Sequence, residues 1–185
     1  GGALRVVKNG ALLPTPFVTV STSADGERGL LGVAFHPQFA TNGWVYLYYT
    51  SSAGGAHNRI VRYTASGDVA AGAETILADL PNLSSAANHN GGALHFGPDG
   101  KLYVAVGDNA TGSNAQSMSI TFGKMLRFND DGSIPNTNPF FGSTTGLNRA
   151  IWTLGLRNPF TFGFQPGTGR MFINDVGQGS WEEIN

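Results

Sequence analysis

The chain has 185 residues, 11 Lys plus Arg against 12 Asp plus Glu, and a net charge of -1, so no excess of positive charge points to nucleic acid. Hydrophobic residues make up 41% of it, enough to build a core, and no apolar run approaches the roughly 20 residues that span a bilayer. With 27 Gly and no Cys, the composition favours turns and strands over long helices and excludes disulfides, thiolate catalysis and zinc–thiolate or iron–sulfur sites.

Taken in chain order, the apolar, aromatic and β-branched runs predict strands at 4–7, 17–20, 31–36, 45–50, 58–64 and 74–79, then at 93–97, 102–106, 124–129, 151–154, 161–165 and 171–174. No window sustains a helical period, and one short helical turn is expected at 115–119 or at 180–184. The fold class is therefore all-β.

Three stretches share one pattern: LLGVAFHPQFATNGWVYLYYT from Leu30, GGALHFGPDGKLYVAVGDN from Gly91 and FTFGFQPGTGRMFINDVGQ from Phe160. Each is a strand ending in Phe-x-Pro, a Gly-containing turn and a second strand, which is a hairpin signal. A second element alternates with them: LRVVKNG, VRYTASG and LRFNDDG, with Arg5, Arg62 and Arg127 each five residues before a Gly. This element reads as a further strand closed by a tight turn. Chance similarity of short β patterns is the competing explanation, and the constant alternation of two different elements argues against it. A period near 60 built of short strands suits a β-propeller, in which about four strands make a blade. About three repeats are visible, below the usual minimum of four blades. The expectation is one partial domain over residues 1–185, an incomplete propeller cut inside a blade at both ends.

The four histidines have no helical metal-ligand spacing. His36 and His95 read as packed strand or turn residues, and His57 as a solvated loop residue. His89, in SSAANHNGGAL, feeds an inner strand beside two glycines that permit close backbone approach. It is either a general base or a hydrogen-bonded loop histidine. Arg157 in LGLRNPF can polarise a carbonyl, hold a carboxylate or sit in a surface ion pair. Asp175, Glu182 and Glu183 near Gly177 form either an oxygen site suited to Ca²⁺ or a plain acidic turn. Asp108, Asp130 and Asp131 read as ordinary turn residues.

ERGLLGVAFHPQF, NHNGGALHFGPDGKLYVAVGD, GKMLRFNDDGSIP, LGLRNPF and DVGQGSWEEIN, in this order, resemble the glucose/sorbosone dehydrogenase family, the soluble quinoproteins dependent on pyrroloquinoline quinone (PQQ). The resemblance runs from about Leu4 to Asn185. It implies a six-bladed propeller with PQQ held on Ca²⁺ over the central channel. It makes His89 the base that takes the proton of a sugar C1 hydroxyl while hydride passes to the quinone. Arg157 matches the arginine at the quinone carbonyl oxygen, and Asn158 the neighbouring cofactor contact. The carbonyls of Gly177 and Gln178 match the pair that ligate calcium.

Four positions depart from the family's pattern. Asn88 stands where an Asp accompanies the base, and Glu27 where a Gln contacts substrate. Val176 replaces a Gln near the quinone and Gln178 a Pro. These departures favour a broad aldose dehydrogenase over a glucose specialist. The family's basic residues for the quinone carboxylates are expected beyond Asn185. Partners implied are an aldose and an external electron acceptor, with no nucleic acid and no membrane span, in the periplasm or outside the cell. The DVGQ-x-x-W-E-E-I run is also similar to Hedgehog-interacting-protein-like propellers, which implies a non-catalytic binding module as the alternative. A propeller hydrolase acting on lactones through Ca²⁺ is the third possibility.

Overall fold

The computed structural model describes residues 1–185. Strands β1 (Ala3–Leu4) and β4 (Val18–Thr19) pair, as do β2 (Val7–Lys8) and β3 (Ala11–Leu12), making one interrupted hairpin about the Asn9–Gly10 turn. Strands β5 (Leu30–Phe35), β6 (Trp44–Ser51), β7 (His57–Ser66) and β8 (Val69–Asn82) form a four-stranded antiparallel sheet in chain order. A second four-stranded sheet holds β9 (Leu94–Phe96), β10 (Leu102–Val106), β11 (Lys124–Phe128) and β12 (Ile151–Leu154). A third holds β13 (Pro159–Phe164), β14 (Met171–Asp175) and β15 (Glu183–Ile184). Helical structure is confined to α1 (Phe39–Asn42), α2 (Ser113–Gln116) and a 3-10 turn at Gly146–Ala150. None of these is long and apolar enough to cross a membrane.

The period of 2 along the inner strands explains how the sheets stack. Val45, Leu47 and Tyr49 of β6 pack with Phe17 and Val20 of the N-terminal segment. The alternate residues Tyr46 and Tyr48 pack with Leu102, Val104 and Val106 of β10. On the opposite face of β10, Tyr103 and Ala105 pack with Phe162 and Ile173 of the third sheet. Each of the two four-stranded sheets is thus packed by apolar residues on both faces, and the sheets stack face to face in chain order. That is why every residue of β10 and β11 is buried. Each aliphatic side chain among them contributes about 1.5–3 kcal/mol relative to exposure.

The all-β expectation holds, as do the three predicted hairpins, which are β5–β6, β9–β10 and β13–β14. The Arg-containing elements are β7 and β11, each followed by a turn at Gly67 or Gly132, and the β1–β2 segment before Gly10. Three expectations are corrected. The 180–184 run is not helical, because Glu183 and Ile184 add as a strand edge to Asp175 and Asn174. The helical turn sits at Ser113–Gln116 and does not run on to residue 119. The 74–79 strand extends to Val69–Asn82, since the Gly72 turn conformation and Pro81 are absorbed by register shifts against β7.

His57 is also corrected. It is buried at the start of β7, with Nδ1 2.8 Å from the Gly55 carbonyl and Nε2 3.1 Å from Asp79. The Gly-rich loop before it folds back onto the sheet instead of leaving the ring in solvent. His36 is the packed turn residue expected: its Nδ1 lies 3.0 Å from the Gln38 N–H, which donates to it, and its ring packs edge-on against Trp44.

Candidate functional site

Antiparallel pairing brings the loop before β5, the loop before β9, the segment after β10 and the loops after β12 and β14 to one end of the stacked sheets. His89 enters on the loop before β9. Its backbone is left-handed, at φ 56°. The other non-glycine residues with positive φ are Asn9, in the hairpin turn, and Asn109 and Ala110, beside His89. Such conformations cost on the order of 1–3 kcal/mol each and persist only where neighbours over-determine them.

Two glycines make the fit possible. A Cβ on Gly91 would lie 2.6 Å from the Ala105 carbonyl oxygen, and one on Gly107 would collide with the carbonyl of His89. The 88–91 loop therefore lies directly on the end of β10. That contact brings the His89 Nδ1 to 2.7 Å from Asp108 Oδ1, with both side chains buried. A carboxylate can only accept, so the imidazole proton is on Nδ1 and Nε2 is left as the basic nitrogen. Nε2 has no protein partner.

Asp108 is the member of this candidate site that reading the sequence missed. VGDN reads as a turn, and the available signal was its position at the exit of a fully apolar strand, LYVAV. Its backbone is fixed from both sides: its N–H donates to the Arg157 carbonyl (2.8 Å), and its own carbonyl accepts from Asn114 Nδ2 (3.0 Å). Asn88, proposed as the residue beside the base, is exposed and makes no side-chain hydrogen bond. The carboxylate beside His89 comes from Asp108 instead.

Arg157 follows β12. Its backbone N–H and that of Asn158 donate to the two oxygens of Asp175, at 2.8 and 2.7 Å. Its Nε donates to Gln178 Oε1 (3.0 Å) and its Nη1 to the Val176 carbonyl (2.9 Å), leaving Nη2 without a protein partner. The Asn158 side chain is buried, and its Oδ1 accepts the Gly91 N–H at 3.1 Å, so it ties the Arg157 loop to the His89 loop. Asp175 is committed to two amides, and Glu182 accepts the Gly177 N–H at 3.0 Å. Asp175, Glu182 and Glu183 do not converge as a cluster of side-chain ligands, which leaves backbone carbonyls of this turn as its oxygen donors. The carbonyl oxygens of Gly177 and Gln178 accept no hydrogen bond.

His89, Asp108, Gln116, Arg157 and Gln178 share one polar cavity of about 300 Å³. Glu27, Asn88 and Asn158 do not line it. One wall is the 110–116 segment, fastened from below by Lys124. The Lys124 ammonium is fully buried and donates to the carbonyls of Asn114, Ala115 and Phe122 at 2.7–2.9 Å. Burial pulls its pKa down to about 8. A larger groove, about 440 Å³, lies between the N-terminal hairpin and β5–β6. It is mostly apolar, whereas the His89 cavity gathers the imidazole, carboxylate and guanidinium.

A buried imidazole–carboxylate pair and a guanidinium thus line the same polar cavity, an arrangement chemically able to take up a proton and to hold an anionic oxygen. The glucose/sorbosone dehydrogenase family model matches residues 1–185, and the chain belongs to that family. It is 33% identical over 190 residues to aldose sugar dehydrogenase YliI of Escherichia coli K12, with all of this chain and 51% of that protein covered. It is 33% identical over 215 residues to quinoprotein glucose dehydrogenase B of Acinetobacter calcoaceticus, covering all of this chain and 44% of that protein. Mouse Hedgehog-interacting protein is 36% identical over 155 residues, covering 72% of this chain and 22% of that one. Among solved structures, the apo form of the E. coli soluble aldose sugar dehydrogenase superposes with a TM-score of 0.90 at 32% identity, over all of this chain and 54% of that one. The PQQ-bound aldose sugar dehydrogenase of Streptomyces coelicolor gives 0.80 at 32% identity, over 96% of this chain and 51% of that one. The chain spans about half the length of the sugar dehydrogenases it matches.

Proposed function

We propose that this chain is part of a quinoprotein aldose dehydrogenase, a closed six-bladed propeller to which residues 1–185 contribute about three blades. The observation that carries the reading is the buried His89–Asp108 pair sharing one cavity with Arg157. His89 Nε2 takes the proton of the sugar C1 hydroxyl, and the Asp108 carboxylate stabilises the resulting imidazolium. PQQ, when bound, supplies the two-electron acceptor for the hydride that leaves C1.

The residues present fit such a group. The free Nη2 of Arg157 is a donor available to a carbonyl oxygen that gains negative charge. The uncommitted carbonyls of Gly177 and Gln178 are hard oxygen donors suited to Ca²⁺. Asn158 serves the cofactor site by holding the Arg157 and His89 loops together. The same reading places the protein in the periplasm or outside the cell, with electrons passing to an external acceptor.

The test adds PQQ and Ca²⁺ to the full-length apo protein of which this chain is part, and follows aldose-dependent dye reduction and retention of quinone absorbance after desalting. We expect reduction, and His89→Ala to lower turnover by about 10²-fold or more while quinone is still retained. An unchanged rate removes His89 from the mechanism. Absence of both reduction and retained quinone favours a binding propeller, the second reading, which the similarity to Hedgehog-interacting protein supports.

A further inference from the structure

Glu27 lies in the loop before β5, in a different sheet from the strand His89 precedes. Its Oε2 accepts the backbone N–H of His89 at 2.7 Å, and its own N–H donates to the Ala87 carbonyl at 2.8 Å. The next residue extends the grip. Arg28 Nη2 donates to the carbonyls of Ser84 (2.7 Å) and Ala86 (2.9 Å). From the opposite side, Asn109 Oδ1 accepts the Ser84 N–H at 2.7 Å, and the Asn109 N–H donates to the His89 carbonyl at 3.3 Å. The segment from Ser84 to His89 is held between these two sets of contacts.

A histidine at φ 56° stays there only if its peptide groups are tied down. The bond from its N–H is short and goes to a charged acceptor, the stronger class of hydrogen bond. Glu27 does not line the cavity shared by His89 and Arg157. The geometry points to Glu27 as a positioning residue for His89. Its carboxylate holds the left-handed turn that aims Nδ1 at Asp108 and leaves Nε2 on the cavity. The role replaces the substrate contact that the family resemblance implies. It requires an acceptor at this point and no charge, so a Gln side-chain oxygen can take it over and an Ala cannot.

Two measurements on the protein test this, and only the second rests on the dehydrogenase reading. In the apo protein, amide hydrogen exchange at His89 is expected to quicken about tenfold or more in Glu27→Ala and to stay near the native rate in Glu27→Gln. In the PQQ- and Ca²⁺-loaded protein, Glu27→Ala is expected to lower kcat about tenfold or more with sugar KM within about twofold, and Glu27→Gln to recover most of that loss. Unchanged His89 exchange in Glu27→Ala overturns the proposal. So does a raised KM at native kcat, which marks a substrate contact. If Glu27→Ala unfolds, Glu27→Gln against Glu27→Leu carries the same comparison. If no variant and no wild-type sample reduces dye, the dehydrogenase reading fails while the exchange result still decides the role of Glu27.

Discussion

Asp108 holds His89 at 2.7 Å with both groups shielded from water, and at this scale the orientation of a single proton matters. In Asp108→Asn the amide nitrogen can donate to Nδ1. That moves the imidazole proton to Nε2 and removes the base. The expected loss in turnover is about 10²- to 10⁴-fold, read by steady-state dye reduction. Native turnover in Asp108→Asn would mean that the pair is only structural. His89 and Arg157 were legible in the sequence because their motifs carry the family resemblance. Asp108 was not, since an Asp in a Gly-Asp-Asn run is unremarkable until the 88–91 loop is laid against it. Asn88, assigned to substrate by the family resemblance, is exposed beside the left-handed His89 and is not the residue that holds its imidazole.

At the scale of elements, β11 shows how a strand braces the loop that leads into it. Lys124 stands at its first residue, and its ammonium binds two carbonyls of the segment walling the cavity, those of Asn114 and Ala115, and a third at Phe122. Lys124→Met removes all three bonds and leaves the Phe122 carbonyl without a donor, while Ala115 and Asn114 keep the N–H of Gly155 and of Ser117. It is expected to cost on the order of 1–3 kcal/mol near neutral pH, measured by urea melts. The pH dependence has a definite sign. The folded pKa is about 8, below the roughly 10.4 of free lysine. Between those values the unfolded chain binds a proton that the folded chain has released, so stability rises with pH across that window. Lys124→Met should lack this rise; a parallel pH profile for the two proteins would count against it. Two of the three repeated arginines, Arg62 and Arg127, are explained by packing. Arg62 stacks 3.9 Å from the Trp44 ring centroid, and Arg127 pairs with Asp99 over Trp152. Their common spacing to a Gly thus marks a structural strand, not a site. Strand runs were legible because their period is 2 and their residues β-branched or aromatic. Short edge pairings such as Glu183–Ile184 were not, because they are defined only by the neighbour they meet.

For the whole molecule, stacking sheets face to face buries both sides of every inner sheet but leaves the first and last layers uncovered. Val7 and Leu12 on the N-terminal hairpin and Phe172, Trp181 and Ile184 on the third sheet are the result, with Trp181 82% exposed. A propeller removes such faces by closing on itself. Residues 1–185 expressed alone are therefore expected to self-associate, which light scattering would detect. A monodisperse monomer would show that these faces are tolerated without a partner. The same stacking creates the candidate site: no sheet owns it, and its members come from loops of three successive sheets meeting at one end.

Strand period and the alternation of hairpin and Arg elements were properties of the sequence itself, because each depends on spacing within a short run, and His89 and Arg157 stood out through the motifs that carry the family resemblance. Which carboxylate faces His89, what Glu27 and Asp175 hold, and why Lys124 is buried were decided only by tertiary structure. Those contacts join residues roughly 10 to 60 positions apart, and nothing local in either partner encodes the other.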